Sequence, residues 1–309
     1  MSTILVFGHR NPDTDAIGAA IGLARLEQAL GQDAQAVALG KPNAETRYAL
    51  DHFGLKAPRV IERAAPETTD VMLVDHNERQ QSVADIADLT VHKVIDHHRI
   101  ANFETTAPLY FRAEPVGCTC TILTRMYDEN DIPIPGDTAG IMASAIISDT
   151  LLLRSPTTTD ADRNALAHLA SIADISPDAY GTDLLRAGTD LGDAQPATLI
   201  GRDAKSYTMS GTEVRLAQLN TVDPTDILDR RDEFLAAMRA EAEHAGYDLF
   251  LLLITNVLTT DSDVLVVGDP LDAVDAALTV TIRDGHAFAK GLVSRKKQIV
   301  PQLTRALAQ

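Results

Sequence analysis

The sequence predicts an α/β protein of two domains, and three observations support this. Short apolar runs alternate with amphipathic helical patterns from the N-terminus onward. Such runs separated by helices are typical of a parallel sheet that is covered on both faces. The chain has 309 residues, 45% of them hydrophobic, which fits about two domains better than one. After residue 196 paired strands appear, which indicates a second domain with a mixed sheet.

The first domain is predicted to contain a doubly wound parallel sheet. Its apolar runs predict strands at 4–8, 35–39, 71–75 and 91–96. Amphipathic patterns predict helices at 16–30, 43–53, 117–130, 137–149 and 160–186. Parallel strands joined in this way have their carboxyl ends at one edge of the sheet, where ligands of such sheets bind.

A polar stretch separates the two predicted domains. GTDLGDAQP combines two Gly, two Asp and a Pro between periodic segments, a composition that is typical of linkers. We therefore predict a first domain at 1–187, a linker at 188–195 and a smaller second domain at 196–309.

The second domain is predicted to be α/β with a mixed sheet. RDAKSYTM and EVRLAQLN predict paired strands around a Ser-Gly turn. A charged helix at 224–245, the apolar strand YDLFLLLITNVL, a strand at 263–268 and a helix at 270–278 follow. A last strand, a turn and a helix run through SRKKQIVPQLTRAL.

Charge and composition restrict the partners and the compartment. The net charge of −17 argues against nucleic acid or an anionic membrane as the main partner, because both need an electropositive face. The sequence contains neither an apolar run of about 18 residues nor a secretory signal. Its two cysteines, Cys118 and Cys120, suit a reducing compartment. We therefore expect a cytoplasmic protein that binds an anion only at a local basic cluster, such as SRKK at 294–297.

Potential metal ligands follow three of the predicted strands. Each has an ordinary structural explanation when it is taken alone; Asp13, for example, could cap the helix that begins near Ala16. Taken together they are better explained as a site, because helix caps do not require histidines and carboxylates at the same end of one sheet. Imidazole mixed with carboxylate favours Mn²⁺, Co²⁺ or Zn²⁺ over Ca²⁺. The candidates are His9, Asp13 and Asp15 after the first strand, Asp75 after the third, Asp96, His97 and His98 after the fourth, and Asp149 in AIISDT.

Several motifs together resemble one known family. They are GHRNPDTDA at 8–16, DHN from Asp75, DHH at 96–98, EPVGCTCTIL, AIISDT and SRKKQIVPQL, and they span nearly the whole chain. Their combination resembles the family II inorganic pyrophosphatases, the metal-dependent branch of the DHH phosphoesterase superfamily. DHH alone would indicate only the superfamily, whereas SRKKQIVP is the more discriminating motif.

The resemblance implies a role for each matching residue. One metal would be bound by His9, Asp13 and Asp75, and the other by Asp15, Asp75, His97 and Asp149, so that Asp75 bridges the two. The residues that would contact the substrate phosphates are His98, Lys205, Arg295 and Lys296.

The resemblance also implies the reaction and its cofactors. Two Mn²⁺ or Co²⁺ ions per subunit would activate the water that hydrolyses pyrophosphate to two phosphates, with Mg²⁺ arriving alongside the substrate. The implied assembly is a homodimer, and the implied active site lies in the cleft between the domains.

Two alternatives remain open at this point. The first is another DHH phosphoesterase, acting on polyphosphate or on short oligonucleotides. An oligonucleotide enzyme would offer a surface on which bases stack, and the aromatic content of 4% with no Trp counts against it. The second is a metal-dependent interaction protein without catalytic activity.

Overall fold

The computed structural model describes residues 3–189 and 194–308, without the side chains of Arg202, Lys296 and Lys297. The chain divides into two compact units, Met1–Gly188 and Thr189–Gln309. The predicted fold class is confirmed, because the first unit holds a parallel sheet and the second a mixed sheet.

The strands of the first unit form an all-parallel sheet. They are β1 Ile4–Phe7, β2 Ala34–Ala36, β3 Asp70–Val74, β4 Thr90–Asp96 and β5 Tyr110–Ala113, in the order β2-β1-β3-β4-β5. The four predicted strands are present, whereas β5 was not predicted. β5 forms an edge of the sheet with no fully buried residue, and its sequence YFRA therefore lacks the apolar run that marks the inner strands.

The strand order has a switch point between β1 and β3. The connection after β1 leads to β2 on one side, whereas the chain after β3 continues to β4 and β5 on the other. The segments that leave the carboxyl ends of β1 and β3 therefore diverge, and ligands of open α/β sheets bind in the crevice at such a point. His9 follows β1 and Asp75 follows β3, so both lie at this crevice.

The helices of the first unit largely follow the predicted pattern. They are α1 Thr14–Ala29, α2 Ala44–His52, α3 Thr119–Glu129, α4 Gly136–Thr150, α5 Asp160–Ala173 and α6 Pro177–Thr189. The prediction of a single helix at 160–186 is wrong. Asp174 ends α5 with a left-handed φ of 54°, and Pro177 begins α6. Proline is favoured in the first turn of a helix, whereas inside a helix it has no backbone N–H to donate to the preceding turn.

The predicted linker at 188–195 overlaps the end of α6, which includes Gly188 and Thr189. Residues 190–193 of this linker lie outside the described residues.

The loop after β1 is held close to α1. A Cβ built on Gly8 would lie 2.5 Å from the Cβ of Ala16 and 2.7 Å from its Cα. Only glycine therefore permits this approach, which places His9 beside the first turn of α1. A proline at position 12 predicts an extended conformation for Asn11, but Asn11 has a φ of 54° and this prediction is wrong. Asparagine tolerates this left-handed conformation better than most residues.

The second unit contains a mixed sheet that is buried on both faces. Its strands are β6 Ala204–Met209, β7 Thr212–Thr221, β8 Leu249–Asn256, β9 Asp261–Gly268 and β10 His286–Ala289, in the order β10-β9-β8-β7-β6. β7 and β8 are parallel, and the other neighbouring pairs are antiparallel. Alternate residues of β8 pack into different clusters, Phe250 into one and Leu251 into the other.

Helices and one π-helical turn complete the second unit. The helices are α7 Pro196–Arg202, α8 Thr225–Leu228, α9 Arg231–Ala245, α10 Leu271–Leu278 and α11 Val300–Ala306. The helix predicted at 224–245 is therefore two helices, α8 and α9. The π-helical turn Arg295–Ile299 leads directly into α11 and carries most of the SRKK motif. Within the described part of the chain, no helix is long and apolar enough to cross a membrane.

The close approach at Gly8 predicts a specific loss of stability. The substitution Gly8→Ala should lower the free energy of unfolding by about 1–3 kcal/mol, because the added methyl group meets backbone that cannot move freely. Urea unfolding followed by circular dichroism measures the change. Gly136→Ala is the matched control, since a Cβ there would meet only the Ile172 carbonyl oxygen at 3.6 Å. Equal unfolding midpoints for the two variants would contradict the role of Gly8.

Candidate metal centre

The carboxyl ends of β1, β3 and β4 bring the predicted ligands together in the first unit. Among the described residues, four groups each place their ligand atoms within 4.8 Å of one another; one joins Asp15 to the buried Cys118 and Cys120, and the other three consist of residues singled out in the sequence. These three are His9 with Asp13 and Asp75, Asp15 with His97 and Asp149, and Asp75 with His97 and His98. Asp149 reaches the cluster from the last turn of α4. All six predicted metal ligands therefore lie in one cluster, although they come from segments up to 140 residues apart (149 − 9).

Asp75 occupies the centre of the cluster. Its side chain is 1% exposed, and its backbone adopts a left-handed φ of 57° directly after β3. One carboxylate oxygen, Oδ2, lies 3.3 Å from Nε2 of His9, and the other, Oδ1, lies 3.3 Å from Nε2 of His97. Asp75 thus presents one oxygen to each of the two ligand groups.

Backbone carbonyls orient the two histidines. Nδ1 of His9 bonds the carbonyl oxygen of Arg10 at 2.8 Å, and Nδ1 of His97 bonds that of Val116 at 3.1 Å. In both rings Nδ1 is the donor, which directs Nε2 toward Asp75. Such a hydrogen bond from the second ring nitrogen is the usual support for a metal-binding histidine.

Asp13 combines the two roles considered from the sequence. Its Oδ1 accepts a hydrogen bond from the backbone N–H of Ala16 at 2.9 Å and so caps α1. Its Oδ2 faces the cluster, 3.5 Å from Nε2 of His9. Capping fixes the orientation of the carboxylate and leaves its second oxygen available to bind a metal ion.

The density of negative charge shifts the pKa values of the histidines upward. Burial by itself would lower the pKa of His9, but its close contacts with the carboxylates of Asp13 and Asp75 outweigh burial and raise the pKa to about 11. The same competition, with Asp75 as the main partner, raises the pKa of His97 to about 9. Without a metal, protons on these rings therefore balance the carboxylates.

The carboxylates diverge in their pKa values. Burial and repulsion from Asp75 raise the pKa of Asp15 to about 6, and burial with repulsion from Asp15 raises that of Asp149 well above its usual range. Burial also opposes ionisation of Asp75, but the imidazole rings of His9 and His97, each 3.3 Å away, hold its pKa below the usual range. Each of these groups would be stabilised in its deprotonated form by a cation at the centre.

The donor set fits divalent metal ions. Among the described residues, Oδ2 of Asp75 is buried without a hydrogen-bond partner of good geometry, as expected for an oxygen that binds a cation. Imidazole nitrogens and carboxylate oxygens from six residues suit first-row divalent ions. The arrangement of two groups around a shared carboxylate suits a pair of such ions.

The N-terminus of α3 supplies contacts that sequence reasoning missed. Asp15 accepts hydrogen bonds from the backbone N–H groups of Thr119 at 2.7 Å and Cys120 at 3.2 Å. The hydroxyl of Thr119 also donates to Oδ1 of Asp75 at 3.2 Å. The motif EPVGCTCTIL stands out in the sequence, but nothing in it indicates that its backbone faces Asp15. The helix N-terminus favours the charged form of the Asp15 carboxylate.

His98 lies at the edge of the cluster and is oriented by Asp96. The side chain of His98 is 52% exposed, and its Nδ1 lies 2.9 Å from Oδ1 of Asp96. Asn77 donates to the other oxygen of Asp96 at 2.7 Å, so Asp96 is held from two sides. His98, together with Arg99 and the cluster residues, lines an open depression of about 470 Å³.

The predicted phosphate-binding residues of the second unit have different environments. Lys205 is exposed on β6. Arg295 is 9% exposed, and its guanidinium donates to the Asp203 carboxylate at 2.7 Å, to the Asp203 carbonyl at 2.5 Å and to the Leu216 carbonyl at 3.2 Å. The side chain of Lys296 lies outside the described residues. In this structure the guanidinium of Arg295 therefore donates its hydrogen bonds to other groups of the protein.

The chain matches two family models and several relatives over most of its length. The model described as "DHH family, N-terminal domain" matches residues 3–146, and the "DHHA2 domain" matches residues 182–306. A protein of Enterococcus faecalis is 58% identical over 98% of this chain and 99% of its own length. A protein of Lactobacillus helveticus is 54% identical over 99% of both. Both relatives are named "Probable manganese-dependent inorganic pyrophosphatase".

Solved structures agree with these matches. A crystal structure named as a family II inorganic pyrophosphatase of Methanococcus jannaschii has 35% sequence identity and a TM-score of 0.61, with 98% of this chain and 99% of that chain covered. An exopolyphosphatase-related protein of Bacteroides fragilis shares the fold at 14% identity, with a TM-score of 0.52, over 99% of this chain and 92% of that chain. The resemblance found in the sequence is thereby confirmed. With full-length relatives above 50% identity, the chain belongs to the family of manganese-dependent, family II inorganic pyrophosphatases.

Proposed function

We propose that this protein hydrolyses inorganic pyrophosphate to two phosphates and that it depends on Mn²⁺. The observation that carries the proposal is the convergence of six imidazole and carboxylate side chains, with the buried Asp75 at their centre, in a member of this family. His9, Asp13 and Asp75 would hold one ion, and Asp15, Asp75, His97 and Asp149 the other. Co²⁺ accepts the same ligands, and a further Mg²⁺ would accompany the substrate.

The chemistry divides between the ions and the side chains. When bound, the metal pair supplies Lewis acidity that lowers the pKa of a water molecule and neutralises phosphoryl charge. Asp96 holds Nδ1 of His98, which leaves Nε2 to contact a phosphate oxygen. Lys205, Arg295 and Lys296 of the second unit would neutralise the remaining charge of the same substrate. Pyrophosphate is small and highly charged, so a site for it needs cationic groups rather than apolar surface.

The domain boundaries, the assembly and the cellular location are also proposals. We propose domains at 1–187 and 196–309 joined at 188–195, a homodimer and a cytoplasmic location. Nucleic acid and membranes are not expected as partners, because the net charge of −17 disfavours both.

The direct test removes and restores the metal. Protein stripped with a chelator should release no phosphate from pyrophosphate, and Mn²⁺ should restore turnover because the carboxylate cluster then gains its cations. Phosphate release from pyrophosphate, tripolyphosphate and a dinucleotide is measured on the same sample. Turnover that prefers either of the other two substrates would replace the proposal with another DHH phosphoesterase. Mn²⁺ binding without turnover of any of the three would indicate an interaction protein.

Two substitutions test the division of labour between the units. Asp75→Ala should abolish turnover and remove bound Mn²⁺, since Asp75 faces both ligand groups. Lys205→Ala should leave Mn²⁺ bound and raise KM by about tenfold or more, because a hydrogen bond to a charged group contributes about 1.5–3 kcal/mol. Metal content and steady-state kinetics are measured for both, and Lys296→Ala should behave like Lys205→Ala. Loss of Mn²⁺ from either lysine variant would refute the division.

Arg295 poses a separate question, because Asp203 binds its guanidinium. Arg295 donates to Leu216, which pairs with Lys205 between β6 and β7, so the two proposed phosphate ligands lie beside the same strand pair. We propose that Arg295 exchanges the Asp203 carboxylate for phosphate oxygens when substrate binds. Both acceptors suit its planar, bidentate fork.

The exchange predicts the sign of a kinetic effect. Asp203→Asn should lower KM for pyrophosphate by about threefold to tenfold, because a neutral amide competes less well for the guanidinium than a carboxylate does. Asp272→Asn, at the start of α10, is the control for removing one negative charge from the same unit. An unchanged or higher KM for Asp203→Asn would mean that Asp203 only anchors the turn.

A further inference from the structure

The segment Val116–Thr121 contacts three of the proposed metal ligands. The carbonyl of Val116 accepts from His97, and the backbone N–H groups of Thr119 and Cys120 donate to Asp15. The Thr119 hydroxyl donates to Asp75. A shift of this short segment would therefore disturb the hydrogen bonds that orient His97, Asp15 and Asp75 at the same time.

Asp162 binds the same segment from outside the cluster. Its side chain is fully buried in the first turn of α5 and accepts a hydrogen bond from the Thr121 hydroxyl at 2.7 Å. It also accepts from the backbone N–H of Gly117 at 2.9 Å. A Cβ on Gly117 would lie 2.9 Å from this carboxylate and 2.7 Å from Thr150, so only glycine permits the contact. Asp162 thus binds Gly117 and Thr121, on either side of the two residues, Thr119 and Cys120, whose backbone N–H groups face Asp15.

The remaining hydrogen bonds of Asp162 belong to the cap of α5. The backbone N–H and the hydroxyl of Thr159 both donate to Oδ2 of Asp162 at 2.7 Å. The backbone N–H of Asp162 in turn donates to the Thr159 hydroxyl oxygen at 3.4 Å, which completes a capping box. A capping box alone needs no contact with residues 117 and 121. The carboxylate therefore joins two structures, the start of α5 and the segment before and within α3.

We propose that Asp162 is a positioning residue for the metal centre, acting through Gly117 and Thr121 on the segment that orients His97 and Asp15. The role rests on the proposed function, since it assumes that these ligands bind Mn²⁺. Asp162 does not touch the cluster and is not a catalytic residue. Outer contacts of this kind typically change metal affinity by about tenfold to a hundredfold when they are removed.

The sharpest test uses two isosteric substitutions in α3. Thr121→Val deletes the hydroxyl that donates to Asp162, whereas Thr124→Val deletes a hydroxyl that donates to the Cys120 carbonyl within the helix. Both threonines are buried, so the substitutions have similar effects on packing. Thr121→Val should weaken Mn²⁺ binding severalfold relative to Thr124→Val, measured by calorimetric titration of metal-free protein.

A second pair separates positioning from simple stability. Asp162→Asn places an amide N–H₂ against N–H and O–H donors and should weaken Mn²⁺ binding by about tenfold or more. Thr159→Ala removes hydroxyl contacts of the α5 cap and should lower the urea midpoint while leaving Mn²⁺ affinity within about twofold of wild type. Asp162→Asn with wild-type affinity, or Thr159→Ala with an equal loss of affinity, would overturn the proposal.

The readout distinguishes this inference from the proposed function. Mn²⁺ affinity is measured without substrate, so a protein that binds Mn²⁺ but hydrolyses no pyrophosphate would refute the function and still report the role of Asp162. If Asp162→Asn does not fold, the comparison of Thr121→Val with Thr124→Val decides, and equal affinities of those two variants would overturn the role.

Discussion

The buried carboxylate of Asp75 is the constraint on which the rest of the site depends. It lies at the switch point of the sheet, with one oxygen toward His9 and the other toward His97. An ionised carboxylate without water is costly unless cations or hydrogen-bond donors compensate it. In the metal-free molecule protonated histidines provide this compensation, and the surrounding carboxylates favour further positive charge. The charge of the cluster therefore favours the binding of cations even without substrate.

Backbone groups hold the ligands of this arrangement in place. The carbonyls of Arg10 and Val116 orient the two imidazoles, and the first turn of α3 holds Asp15. Glycine permits two of the close approaches, at Gly8 and Gly117, where a methyl group would collide with neighbouring atoms. Because the main chain is much less mobile than an exposed side chain, the ligands are held in place without the metal.

The second unit has to accommodate cationic side chains rather than a cluster of carboxylates. Its proposed phosphate ligands are cationic, in a chain whose net charge is −17. The structure satisfies Arg295 with Asp203 and two carbonyl groups, while Lys205 stays exposed. A buried guanidinium without acceptors would be unstable. In this structure the Asp203 carboxylate and the two carbonyl groups provide those acceptors.

By itself the sequence determined the α/β class and the inner strands, because apolar periodicity is a local property, and its motifs contained the residues that form the candidate metal cluster. It did not predict β5, which lacks a buried run, or the breaks at Asp174 and between α8 and α9, where one helical pattern continues across a turn. Only the tertiary structure decided that Thr119 faces Asp15 and Asp75, that Asp162 holds Gly117, and that Asp203 binds Arg295. Each of these contacts joins residues about 40 to 100 positions apart. Hydrogen bonds across such separations follow from how the elements pack, and no local pattern records them.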